Sequence, residues 1–176
     1  MTRSRAERRL AYDAAFLALA VILSYLEALL SGFFPVPGLK LGLPNVAVMA
    51  VFRLIGRRDA LAVSFFRCMI QFLLFGSATA LVLSLAGAAL SFLVLLLFDG
   101  GRSRRIGEIG VSVLSAFAHI TGQCLAASLF YGFLAVFSFY PIMTALSVPS
   151  GIFTGLLLLF ILRSAEKISQ KGKGTP

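Results

Sequence analysis

Fourteen of the sixteen lysines and arginines in this 176-residue chain fall into four short clusters, at 3–9, 53–58, 102–105 and 163–173, with long apolar runs between them. No other feature constrains the fold so tightly. An apolar segment of about 20 residues crosses a hydrocarbon core of about 30 Å, and basic loops stay on the cytoplasmic side of a membrane. Four clusters on one side require two crossings between each consecutive pair. The sequence therefore predicts an all-α integral membrane protein with six transmembrane helices in one bundle and both termini cytoplasmic. The predicted helices run over 10–30, 45–55, 60–75, 80–98 and 109–131, and from a start or kink at Pro141 to Leu162. The expected organisation is a basic N-terminus over 1–9, a membrane domain over 10–165 and a basic flexible tail over 166–176.

Composition removes the other classes. With 59% hydrophobic and 13% charged residues and a mean hydropathy of +0.96, the chain has too little polar surface for a water-soluble globule. Its net charge of +9 sits at the ends of apolar runs and is not laid along one face, so membrane lipid and not nucleic acid is the expected partner. Cys68 and Cys124 both fall inside apolar segments, where small buried thiols are common, so neither a disulfide nor a metal site is expected. The run from Leu10 to Leu30 is too long for a signal peptide, and no small-residue cleavage site follows it.

The stretch from Phe33 to Asn45 is the longest interruption without clustered charge. Its prolines and glycines forbid a regular helix. Pro37, Gly38 and Gly42 are the expected hinge positions, Lys40 is the only ionised side chain, and Asn45 stands at an N-cap position for the second helix. The helix that follows spans eleven residues and rises only about 16 Å, too little to cross unaided, which puts part of the loop at membrane depth. Two readings fit: a lid that aims Lys40 and free helix N–H groups at an anionic ligand, or a tight connector.

A charge at the centre of a membrane helix costs about 2.5–3.5 kcal/mol even on a lenient scale, so the few polar side chains inside the runs carry information. Arg67 and Gln71 lie one turn apart in the third helix, His119 and Gln123 one turn apart in the fifth, and Glu27 near the outer end of the first. With Lys40 and Asn45 they outline an outward polar cavity, and these seven are the expected substrate-binding residues. Each has a plainer reading. Arg67 can satisfy carbonyls or snorkel, His119 can be a neutral interhelical hydrogen-bonding group, and Glu27 can be an interfacial residue or the counter-ion of Arg67. Ala11, Ala14, Ala15 and Ala18 form small-xxx-small pairs on the first helix, either a docking face for another helix or simply common membrane alanines. No aspartate-rich pair for a magnesium diphosphate, no phosphate loop and no paired carboxylates appear. The residues thus lean away from an enzyme, with no catalytic residue and no cofactor expected.

Ser24-Tyr25-Leu26-Glu27, the loop from Pro35 to Asn45, Arg67 with Leu74-Phe75-Gly76, and Ala118-His119-Ile120-Thr121-Gly122-Gln123 together resemble the bacterial family called Gx transporter, also named heptaprenyl diphosphate synthase component I. The resemblance extends from Leu10 to about Ser164. It implies a fold like the substrate-binding S components of energy-coupling factor transporters, in a bacterial cytoplasmic membrane, with a small-solute site under the first loop. It also implies that the alanine face of the first helix docks to a coupling transmembrane subunit that works with ATPases. The expected function is binding of a small, anionic or polar-headed solute for uptake. The alternative is an integral-membrane accessory of heptaprenyl diphosphate synthesis.

Overall fold

Leucine, alanine and phenylalanine dominate the apolar runs, and in lipid a helix has the merit of satisfying its own backbone polar groups. The computed structural model describes residues 2–30, 40, 42–75, 77–99 and 103–171. Among them are six helices: α1 (Thr2–Leu30), α2 (Asn45–Leu54), α3 (Arg57–Phe75), α4 (Ala78–Leu97), α5 (Ser103–Tyr131) and α6 (Phe133–Lys171). Four contain segments long and apolar enough to cross a membrane: Arg9–Leu29, Ala78–Leu97, Ile106–Tyr131 and Phe133–Lys167. By contrast α2 has only 10 residues, and α3 carries Arg57, Arg58, Asp59 and Arg67. The hinge positions Pro37 and Gly38 and the end of the tail, 172–176, lie outside the described residues.

The short helix is the centre of the bundle. It packs on α1, α3, α4 and α6, and every residue from Asn45 to Phe52 is buried. Val46, Met49 and Val51 form a cluster with Val63, Leu95, Val111 and Leu158, drawn from the surrounding helices. Around it α1 and α3 run parallel, joined by Arg9 with Asp59 and Gln71 with Ser24. Two antiparallel pairs complete the bundle. In α4–α5, Ser91 faces Ser115; in α5–α6, Ser112 faces Thr154 at 2.8 Å.

Glycines set how closely these pairs approach. A Cβ on Gly122 would lie 2.6 Å from the carbonyl oxygen of Ala86, and one on Gly151 would lie 2.5 Å from the Cα of Val113. Lipid tails leave little hydrophobic drive between helices, so backbone contact through small residues supplies the dispersion that holds them. At one end of the bundle the charges pair. Arg53 binds Glu108 at 3.0 Å and Asp99 at 3.6 Å, Arg57 Nε donates to Asp99 at 2.6 Å, and Arg9 pairs with Asp59.

Three sequence expectations are corrected. The sixth helix begins at Phe133, directly after Gly132 at φ 84°, and not at Pro141; Pro141 and Pro149 both lie inside it, and it continues past Leu162 to Lys171. The fifth begins at Ser103, with a break at Gly107 (φ 69°, ψ 167°). Asn45 is not the N-cap of α2. Pro44 holds that position at φ −63°, and no side chain caps the helix.

Gly122→Ala pushes α4 from α5 and is expected to cost about 1–3 kcal/mol, the range for overpacking. Thermal unfolding in detergent checks it, with Leu125→Ala on the exposed side of the same helix expected to change the midpoint far less. Equal midpoints for Gly122→Ala and the parent would show that the contact is relaxed at no cost.

Candidate functional site

The chain returning from α1 to α2 reaches the bundle with backbone N–H groups that no helix satisfies. Side chains of α1 and α5 take them. Glu27, 1% exposed, accepts the N–H of Gly42 at 2.5 Å and of Leu43 at 3.2 Å through one oxygen. Gln123 of α5 accepts the N–H of Lys40 at 2.9 Å. The first N–H groups of α2 turn back on the same loop: Asn45 N donates to Gly42 O, Val46 N to Leu43 O and Ala47 N to Pro44 O, at 2.9, 3.2 and 3.2 Å. The free helix N-terminus expected from the sequence is thus already spoken for, because the turn of 42–44 brings its own carbonyls into range.

Gln123 settles more than the loop. With its carbonyl oxygen on Lys40 N, its amide nitrogen faces His119 Nε2 at 2.9 Å, so that ring nitrogen accepts and the proton sits on Nδ1. Nδ1 is buried with no hydrogen-bond partner among the described residues. The pair is held in place by glycines. A Cβ on Gly87 of α4 would lie 2.9 Å from His119 Nδ1 and Cε1 and from Gln123 Cγ, and one on Gly42, at φ +89°, would lie 3.3 Å from His119 Cδ2. The Asn45 amide donates to Ser91 at 3.2 Å, and Ser91 meets Ser115 at 2.6 Å.

Above this network lies a cavity of about 310 Å³ among α1, the loop, α3 and α4, at the end of the bundle away from the paired charges. Its polar wall is Lys40, Cys68, Gln71, Ser77 and Ser84. Ala28, Leu29, Phe72, Ala80 and Leu81 make the apolar part. Lys40 and Gln71 alone of the seven expected residues line it; Glu27, Asn45, His119 and Gln123 belong to the network that seats the loop. Arg67, 3% exposed, stands behind the wall, its guanidinium 3.9 Å from Cys68 Sγ and its Nε without a partner among the described residues. No salt bridge joins it to Glu27 among the described residues, although the two charges act on each other. Gln71 Nε2 reaches Ser24 O at 3.5 Å. Cys68, Ser77 and Ser84 were not singled out from sequence, although Ser84 and Ser91 lie seven residues apart on one face of α4 and Ser77, the N-cap of that helix, precedes Ser84 by the same interval.

The expected docking residues Ala11, Ala14, Ala15 and Ala18 are all exposed on α1. No group of three or more His, Cys, Asp or Glu side chains that would suit a metal ion occurs among the described residues.

Removing the Glu27 carboxylate should release the loop. In Glu27→Ala the two buried N–H groups lose a charged acceptor, each such bond being worth about 1.5–3 kcal/mol, so amide exchange of residues 42–47 should speed by tenfold or more, while Glu27→Gln, which keeps an acceptor oxygen, should sit between. Hydrogen exchange read by mass spectrometry makes the measurement. Unchanged exchange in the alanine variant would mean that Glu27 does not hold the loop.

No curated protein and no solved structure matches this chain. Residues 16–161 match the sequence model of the family described as heptaprenyl diphosphate synthase component I, and the chain belongs to that family.

Proposed function

We propose that the protein is a membrane subunit that binds a small, anionic or polar-headed solute for uptake across a bacterial cytoplasmic membrane. One observation carries this reading: a cavity of about 310 Å³ with Lys40 and Gln71 on its wall, the Lys40 backbone being held by Gln123 of α5. That volume is at the low end of small-molecule sites, roughly 300–1,000 Å³. The clustering of basic residues supports an orientation with the paired-charge end in the cytoplasm and the cavity outside. Energy for active uptake would come from other subunits, because no nucleotide-binding motif is present in the sequence. The exposed alanine face of α1 is the proposed contact with a coupling transmembrane subunit and its ATPases.

The family's name supports a second reading, a membrane component working with another component of heptaprenyl diphosphate synthesis. Size weighs against the cavity as the seat of the product, since a chain of seven isoprene units exceeds 310 Å³ and would have to lie largely in lipid.

Native mass spectrometry of the purified protein is expected to reveal a bound small molecule that is lost in Gln71→Ala. Retention of the same molecule at the same occupancy would remove the cavity from the mechanism. Membranes given labelled isopentenyl and farnesyl diphosphates separate the second reading, because chain elongation that depends on this protein would overturn uptake. Ala15→Leu should weaken co-purification of a coupling subunit by about tenfold, roughly the loss of one close helix contact, and leave solute binding intact; lost binding with the complex preserved would move that face into the core.

A further inference from the structure

Two buried cations face the outer half of this bundle and only one carboxylate does. Lys40 is 8% exposed and Arg67 3%, and among the described residues neither has a salt bridge. Both feel the charge of Glu27 and of each other. Yet the Glu27 oxygen that the loop reaches is occupied by the N–H groups of Gly42 and Leu43. His119 accepts at Nε2 and so adds no charge. One positive charge is left uncompensated at a depth where charge is costly.

The wall of the cavity says what would compensate it. Lys40 and Gln71 present donors at one side, whereas Leu29, Phe72, Ala80 and Leu81 make an apolar remainder. A single negative charge on an apolar body fits both facts. A diphosphate brings more than one charge and asks for more donors than one ammonium, one amide and the hydroxyls of Ser77 and Ser84.

We infer that the cavity takes a small monocarboxylate with an apolar body, its carboxylate bridging Lys40 and Gln71 while Arg67 acts from behind Cys68 through its charge. This rests on the solute-binding reading and narrows it. Arg67 is then a positioning charge and not a contact, so its effect should follow charge and not shape.

Cys68 lines the cavity and Cys124 does not, which provides a reporter within the chain. The full-length protein in detergent, with Cys124→Ala, is treated with methyl methanethiosulfonate in the presence of hexanoate or benzoate, the matching alcohols, adipate, or isopentenyl diphosphate. The melting midpoint is read in parallel, so that an unreactive Cys68 does not leave the question open. Monocarboxylates are expected to slow modification or raise the midpoint with an apparent affinity about tenfold above that of the alcohols, the factor of one charge-assisted contact. Lys40→Met and Arg67→Met should abolish this preference, and Arg67→Lys should keep it. Glu27→Gln, which removes a charge but keeps an acceptor for the loop, should shift the preference toward adipate.

Equal effects of alcohol and carboxylate, a stronger effect of isopentenyl diphosphate, or no effect of any monocarboxylate at millimolar concentration would each overturn the inference. A co-purified molecule that proves neutral or a diphosphate also overturns it, and in that case the solute-binding reading stands. Absence of any molecule bound through Gln71 is the separate result that removes that reading.

Discussion

A backbone N–H away from water must find an acceptor, and in this chain that requirement organises the half of the molecule that holds the cavity. The second helix has 10 residues and rises about 15 Å, half the thickness of a hydrocarbon core of about 30 Å. Residues 42–44 just before it are non-helical, and at membrane depth such backbone is tolerated only if protein surrounds it. Glu27 and Gln123 supply the acceptors. Their bonds hold Lys40, Gly42 and Leu43 against α5 and α1, and Lys40 lines the space among α1, α3 and α4.

Glycine contacts position the second of these acceptors, Gln123. Gly87 and Gly122 let α4 and α5 touch along their backbones, which clamps His119 and Gln123 between α4 and the loop and removes rotamer freedom from both. A side chain held this way loses little further entropy when its hydrogen bonds form. The same closeness seals Asn45, Ser91 and Ser115 into one dry chain of hydrogen bonds, so α2 is anchored at its first residue although it has no side-chain cap. Polar groups that would be liabilities singly are here largely satisfied by one another; among the described residues the buried side-chain atoms without a partner are Nδ1 of His119, Nε of Arg67, Oγ of Ser24 and Oδ1 of Asp13.

The helices were legible because charge and apolar length act over whole segments, and the number of elements survives small errors at their ends. Boundaries and depth were not. Pro141 reads as a start signal, yet proline is tolerated inside membrane helices, and the helix continues on both sides of Pro141. The stop lay in Gly132, whose positive φ is indistinguishable in sequence from that of any other glycine. Asn45 reads as a cap by type, but Pro44 already has the helical φ, which leaves the amide free for Ser91. In the site, i and i+4 spacing revealed which polar residues share a face without revealing which of them meet the cavity. Lys40 and Gln71 do; Glu27, Asn45, His119 and Gln123 were brought close by the loop's need for partners.

The distribution of acids bears on what chemistry the chain can bring to its family. It has seven acidic residues. Asp59, Asp99 and Glu108 are engaged with Arg9, Arg53 and Arg57 at the end away from the cavity, and Glu27 is engaged with the loop. Prenyl transfer from a diphosphate calls for carboxylates that hold a divalent cation beside the leaving group. Here the acids serve to fix helix ends and to seat a loop, and the groups turned toward the cavity are an ammonium, an amide, a thiol and hydroxyls. Such a set offers donors and one basic side chain, and among the described lining residues there is no pair of acids for metal-assisted ionisation. The family is named for a component of a synthase, and the cavity of this component has a polar wall without carboxylates.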